Sequence, residues 1–116
     1  MFIRDITIHD YDVVDGYMQK LHNLHVKARP DLYVYLEHPY SEEDFKIKVE
    51  DNNCISILAE NNGIIVGICF VSIRNKSNMV VKKIAYMDEL YVNEKFRHMG
   101  IAKKLYLEAE NRAIQM

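Results

Sequence analysis

The sequence predicts a single α/β domain of the α+β type, with a mixed, mostly antiparallel sheet flanked by helices. Three observations carry this reading. Apolar and polar residues alternate in an opening segment and β-branched residues crowd a central pair of segments, as strands require. Apolar positions recur at helical spacing before and after that pair. The length, 116 residues, fills one domain where about 100–200 residues is usual. Together they give the order β-α-α-β-β-β-α over residues 1–116, with no repeat or linker.

Residues 2–8 alternate around Phe2, Ile6 and Ile8 and read as the first strand, closed by His9 and Asp10. Val14, Met18, Leu21, Leu24 and His25 then follow a helical period. Asp10 or Asp12 is available as N-cap and Pro30 ends the pattern, so a helix is expected over 10–28. Residues 29–40 hold both prolines and three tyrosines, Tyr33, Tyr35 and Tyr40, too irregular for a regular element and suited to a loop that faces a substrate. Ser41 ahead of Glu42, Glu43 and Asp44 resembles a capping box with acids in the electropositive first turn, so a short second helix starts there.

Residues 54–59 and 64–73 flank Asn61-Asn62-Gly63, whose residues tolerate positive φ, and read as an antiparallel hairpin. A turn at 75–78 leads to a further strand over 79–92. After Asn93 the period changes: Ile101, Leu105 and Ala109 lie four apart, and the last segment is a helix.

Composition narrows the function. Hydrophobic residues make up 49% and charged residues 28% of the chain, which excludes disordered and collagen-like classes. Fifteen basic side chains nearly balance seventeen acidic ones, a net charge of -2. That balance gives no broad pull toward nucleic acid or anionic membrane, so any anion site must be local. The longest apolar run, 63–73, is too short to span a bilayer and no signal-peptide succession opens the chain, so a cytoplasmic location is expected. Cys54 and Cys69 lack metal-ligand spacing and read as free thiols. His22 and His25 sit three apart with no third ligand evident, so no metal is expected.

The stretch richest in chemistry runs Asp88-Glu89-Leu90-Tyr91-Val92, then Asn93-Glu94-Lys95-Phe96, then Arg97-His98-Met99-Gly100-Ile101-Ala102. A strand passes through a loop into a helix N-terminus, whose first amides lack partners and carry partial positive charge. Such a turn can cradle phosphate. Lys95, Arg97, His98, Lys103 and Lys104 add positive charge, and Gly100 permits close backbone approach. Neither the Walker pattern nor the dinucleotide fingerprint occurs among the four glycines.

This segment resembles the GCN5-related N-acetyltransferase superfamily. That family's acetyl-CoA loop, Gln/Arg-x-x-Gly-x-Gly/Ala, is met by Arg97, Gly100 and Ala102, preceded by Glu89-Leu90-Tyr91-Val92 and Phe96. The hairpin segment Asn62-Gly63-Ile64-Ile65-Val66-Gly67 is similar to the family's second and third strands. The resemblance implies the acyl-CoA N-acyltransferase fold and transfer of an acetyl group from acetyl-CoA to a primary amine. Loop amides of Arg97, His98, Met99, Gly100, Ile101 and Ala102 would hold the pyrophosphate, and Leu90, Tyr91 and Val92 would pair with the pantetheine arm.

Amine acetylation needs a proton acceptor, and the resemblance points to Glu89, with Asp88 second. Regular alternation puts Asp88 with Tyr86 and Leu90 on one face and Glu89 with Met87 and Tyr91 on the other. For each carboxylate a structural role is the alternative. Arg29, Tyr33 and Tyr35 fall where family members vary to recognise acceptors. Family members usually continue past this helix with further strands, whereas this sequence ends in helical pattern at Met116. A C-terminally short fold with an open sheet edge is therefore expected: either the gene product is shortened, or, if the further strands are absent, a homo-oligomer covers the edge. The competing class is a catalytically inactive CoA-binding or protein-interaction domain.

Overall fold

The computed structural model describes residues 1–78, 80 and 83–116. Strand β1, Phe2–Asp5, stops short of the expected residue 8. Thr7 and Asp10 cap a 3-10 turn at Ile8–Asp10, with the Thr7 amide donating to Asp10 Oδ2 at 2.8 Å. The Arg4 guanidinium grips both oxygens of the same carboxylate at 2.9 Å. Once Asp10 is spent on that turn the chain cannot stay extended, and helix α1, Tyr11–Ala28, begins at once.

Helix α2, Glu42–Glu50, opens where Ser41 Oγ accepts from the Asp44 amide at 3.1 Å. Strands β2, Cys54–Asn61, and β3, Ile64–Asn75, are joined by Asn62 and Gly63, both left-handed at φ 53° and 78°. This is the tight turn the Asn-Gly pair predicts. Strand β4, Lys83–Val92, and helix α3, Ile101–Ile114, complete the structure. Met79, Val81 and Lys82, part of the expected strand, lie outside the described residues.

The strands form one antiparallel sheet in the order β1-β2-β3-β4. On one face Val14, Met18 and Phe45 of α1 and α2 cover Leu58, Ile68, Phe70 and Tyr91. On the other, Ile101, Leu105 and Ala109 of α3 cover Ile57, Val66, Cys69, Val71 and Val92. Among the described residues β4 pairs with β3 on one side and with no strand on its outer side. No described helix is long and apolar enough to cross a membrane.

The β3–β4 ladder breaks register once. Phe70 opposes Glu89 while its successor Val71 opposes Met87, so Asp88 is an extra residue in β4. Such a bulge breaks the two-residue period. The expected facing of β4 is corrected accordingly. Tyr86 lies opposite Ser72, whose hydroxyl bonds Asp88, and Asp88 and Glu89 both turn toward α1 and α2 together with Tyr91. Met87, in contact with Cys69 Sγ, and Leu90 turn toward α3.

Gly67 marks the closest approach of α3 to the sheet. A Cβ there would lie 3.1 Å from Leu105 Cδ1, 3.2 Å from the Tyr91 carbonyl oxygen and 3.3 Å from Ile101 Cγ2. Gly67→Ala is expected to destabilise the fold by about 1–3 kcal/mol through overpacking against a backbone atom that cannot move. Urea denaturation checks this: the midpoint falls, and an unchanged midpoint would show that α3 yields freely.

Candidate active site

The end of β4 is fastened from three sides. The Asn93 amide donates to the Val66 carbonyl at 2.8 Å, and Asn93 Nδ2 donates to the Tyr17 hydroxyl at 3.2 Å, linking the strand end to β3 and α1. Asn93 Oδ1 accepts from the Lys95 amide at 2.9 Å and starts a 3-10 turn, Glu94–Phe96. Arg97 Nε then donates back to the Val92 carbonyl at 3.0 Å, with its guanidinium 5.3 Å from the Tyr91 ring centre.

Two left-handed residues, His98 (φ 66°) and Gly100 (φ 78°), turn the chain into α3. The first intrahelical bond of α3 runs from the Lys104 amide to the Gly100 carbonyl at 3.1 Å. The amides of Ile101, Ala102 and Lys103 therefore open the helix without an intrahelical acceptor. A cleft of about 500 Å³ lies against them. Leu90, Tyr91 and Val92 form one wall, Arg97, His98, Gly100, Ile101 and Ala102 another, and Leu21 and Leu24 of α1 a third. Met99 lies away from this cleft and is exposed. Phosphate oxygens fit unpaired amides beside cationic side chains, and an apolar arm fits a wall of Leu and Val.

A second cleft, about 370 Å³, adjoins the first across Leu21. Its base carries Asp88 and Glu89, and its sides are α1 and the strap formed by residues 29–41. The two carboxylates differ in their surroundings. Asp88 accepts from the Ser72 hydroxyl and from Lys48 Nζ at 3.3 Å, and Arg74 lies 3.7 Å away. Glu89 is half-buried and among the described residues makes no ion pair or side-chain hydrogen bond. Burial, and then the charge of Asp88, push its carboxyl above the ordinary range, opposed by Lys48 and His22.

The expected acceptor residues separate. Tyr33 lines the second cleft, its ring approached edge-on by His22 and His25 at 6.1 and 5.4 Å. Arg29 is spent on exposed Asp31 at 2.9 Å, and the Tyr35 hydroxyl accepts from Gln19 at 3.1 Å on the strap's exposed side. Neither reaches the cleft. His22 of α1 donates from Nε2 to the Val34 carbonyl at 2.7 Å and so helps pin the strap. Tyr40, one of the three tyrosines of the expected substrate-facing loop, does line the cleft, whereas Lys48 and Ser72 carried no signal, since each acts through tertiary contact.

The chain matches the acetyltransferase (GNAT) family over residues 18–116. It belongs to that family, and acetyl transfer is the chemistry of the class. Solved structures share the fold. A point mutant of the BH1408 protein from Bacillus halodurans superposes with a TM-score of 0.89 at 22% identity, covering 97% of this chain and 74% of that one. An acetyltransferase from Vibrio fischeri gives 0.79 at 24% identity, covering 99% and 88%. The aminoglycoside N-acetyltransferase AAC(6')-Iy, in complex with CoA, gives 0.72 at 16% identity, covering 98% and 71%. No curated protein matches the sequence.

The charges around Glu89 predict its titration. Followed by carbon NMR of the side-chain carboxyl, Glu89 should protonate above the ordinary glutamate range. Lys48→Met should move its midpoint further up and Asp88→Asn should move it down. Midpoints unaffected by either substitution would contradict the assigned causes.

Proposed function

We propose that the protein transfers the acetyl group of acetyl-CoA to a primary amine, with the first cleft holding the CoA portion and the second the acceptor. The single observation that carries this reading is the shared wall at Leu21. It sets the helix-opening amides of α3 and Glu89, a carboxylate unpaired among the described residues, in two adjoining clefts.

The amides of Ile101, Ala102 and Lys103, with Arg97 beside them, hold the diphosphate. The outer edge of β4 at Leu90 to Val92 offers main-chain groups to the amide-bearing arm, as a sheet edge accepts an added strand. The thioester supplies an activated acetyl carbonyl. Glu89 takes a proton from the acceptor ammonium and so frees the nitrogen lone pair. Asp88, held in place by Lys48 and Ser72, keeps Glu89 basic through its own nearby charge. The rest of the outer β4 edge, Lys83 to Met87, supports self-association of two copies, read directly by light scattering.

Two results test the reading. Because only ionised Glu89 accepts the proton, kcat/KM should climb as pH passes upward through its raised pKa. Glu89→Gln should remove that limb and lower kcat about 100-fold or more, with acetyl-CoA affinity retained. A pH profile identical to that of the unaltered protein would eliminate Glu89 as base. At the loop, Gly100→Asp and Gly100→Asn both suit left-handed backbone and differ only in charge. The Asp variant should bind acetyl-CoA about tenfold more weakly than the Asn variant by calorimetry, and equal affinities would refute the cradle.

A further inference from the structure

We infer that the acceptor is an arylalkyl monoamine, a single amine on a short chain that ends in an aromatic ring. This rests on the acetyl-transfer reading and narrows it to a substrate class. The second cleft is unlike at its base and its sides. The base offers one uncommitted anion, because Asp88 is engaged by Ser72, Lys48 and Arg74 while Glu89 is unpaired among the described residues. The sides are aromatic and apolar: Tyr33 and Tyr40 from the strap, His22 and His25 from α1, with Leu36 and Met18 between them.

Charge separates the amine classes. Bringing a polyamine into about 370 Å³ would desolvate several ammonium groups against one free carboxylate, with the Lys48 ammonium nearby and already paired. The surplus positive charge would find no partner. A monoamine brings one nitrogen for one carboxylate. Shape separates the monoamines. Both imidazoles meet Tyr33 at steep angles, 89° and 69°, and such an edge-to-face cluster leaves ring faces for another aromatic group. A plain alkyl chain fills the same space without that geometry.

Tyr33 is the side chain that reads the ring. It is 41% exposed and makes no buried hydrogen bond, so replacing it leaves the core untouched. The amine nitrogen bonds the acetyl carbonyl carbon as the carbon–sulfur bond breaks; of the two protons the ammonium gives up, one goes to Glu89 and the other to the departing thiolate, so the products are the N-acetylated amine and free CoA thiol.

The test follows thiol release from acetyl-CoA by the full chain with four acceptors: 2-phenylethylamine, n-butylamine, spermidine and a lysine-containing peptide. Acetyl-CoA binding is measured in parallel by calorimetry. The inference expects kcat/KM for 2-phenylethylamine to exceed each of the others about tenfold or more. Tyr33→Ser should cut that preference over n-butylamine about fivefold or more, mainly through KM, and Tyr33→Phe should restore it. If acetyl-CoA binds and spermidine, the peptide or n-butylamine is the best acceptor, or none is acetylated, the inference falls while the CoA reading stands. A preference that survives Tyr33→Ser also overturns it. If acetyl-CoA fails to bind, both fall together.

Discussion

Opposite Phe70 and Val71 of β3, strand β4 spends three residues, Met87, Asp88 and Glu89, where a regular ladder would spend two. Without the extra residue Asp88 would point at the face formed by Cys69, Val71 and Leu105, where nothing polar waits for it. An ionised carboxylate buried there would be costly. The bulge instead delivers Asp88 to Ser72, Lys48 and Arg74 and leaves Glu89 beside it, while Leu90 and Val92 keep their places against α3. One strand can therefore pack a core on one face and present adjacent carboxylates in a cleft on the other.

The second requirement is a rigid end to that strand. Tyr17 and Asn93 tie β4 to α1 and β3, and Arg97 folds back onto Val92. The turn through His98 and Gly100 is thus held in its left-handed path, and the first turn of α3 lines the first cleft. Close contact of Leu105 and Ile101 with Gly67 fixes the height of that helix over the sheet. The helix-opening amides of the first cleft and the carboxylates of the second are consequently set by one continuous segment, residues 87–103.

Much of this was legible in the residues themselves. The Asn62-Gly63 turn, the Ser41 cap and the four-residue spacing of Ile101, Leu105 and Ala109 each carry a local signal that tertiary contact did not override. The loop that lines the first cleft was legible as a motif, Met99 apart. The bulge was not, because period-two reasoning assumes an unbroken ladder and no residue in β4 announces the break. The end of β1 was missed because Ile6 and Ile8 continue the alternation while Thr7 and Asp10 cap a turn. Arg29 and Tyr35 are binding residues by type only; Asp31 and Gln19 occupy them.

The central claim, that residues 87–103 place an acyl donor across both clefts, is tested most directly by comparing amide NMR spectra of the protein with CoA and with acetyl-CoA. The account predicts that both ligands shift Arg97 to Lys103 alike, and that the two complexes differ from one another chiefly at Asp88, Glu89 and Leu90, where the acetyl group would lie. Shifts centred instead on the polar groove around Asn52 and Arg112, at the far end of the sheet, would contradict it.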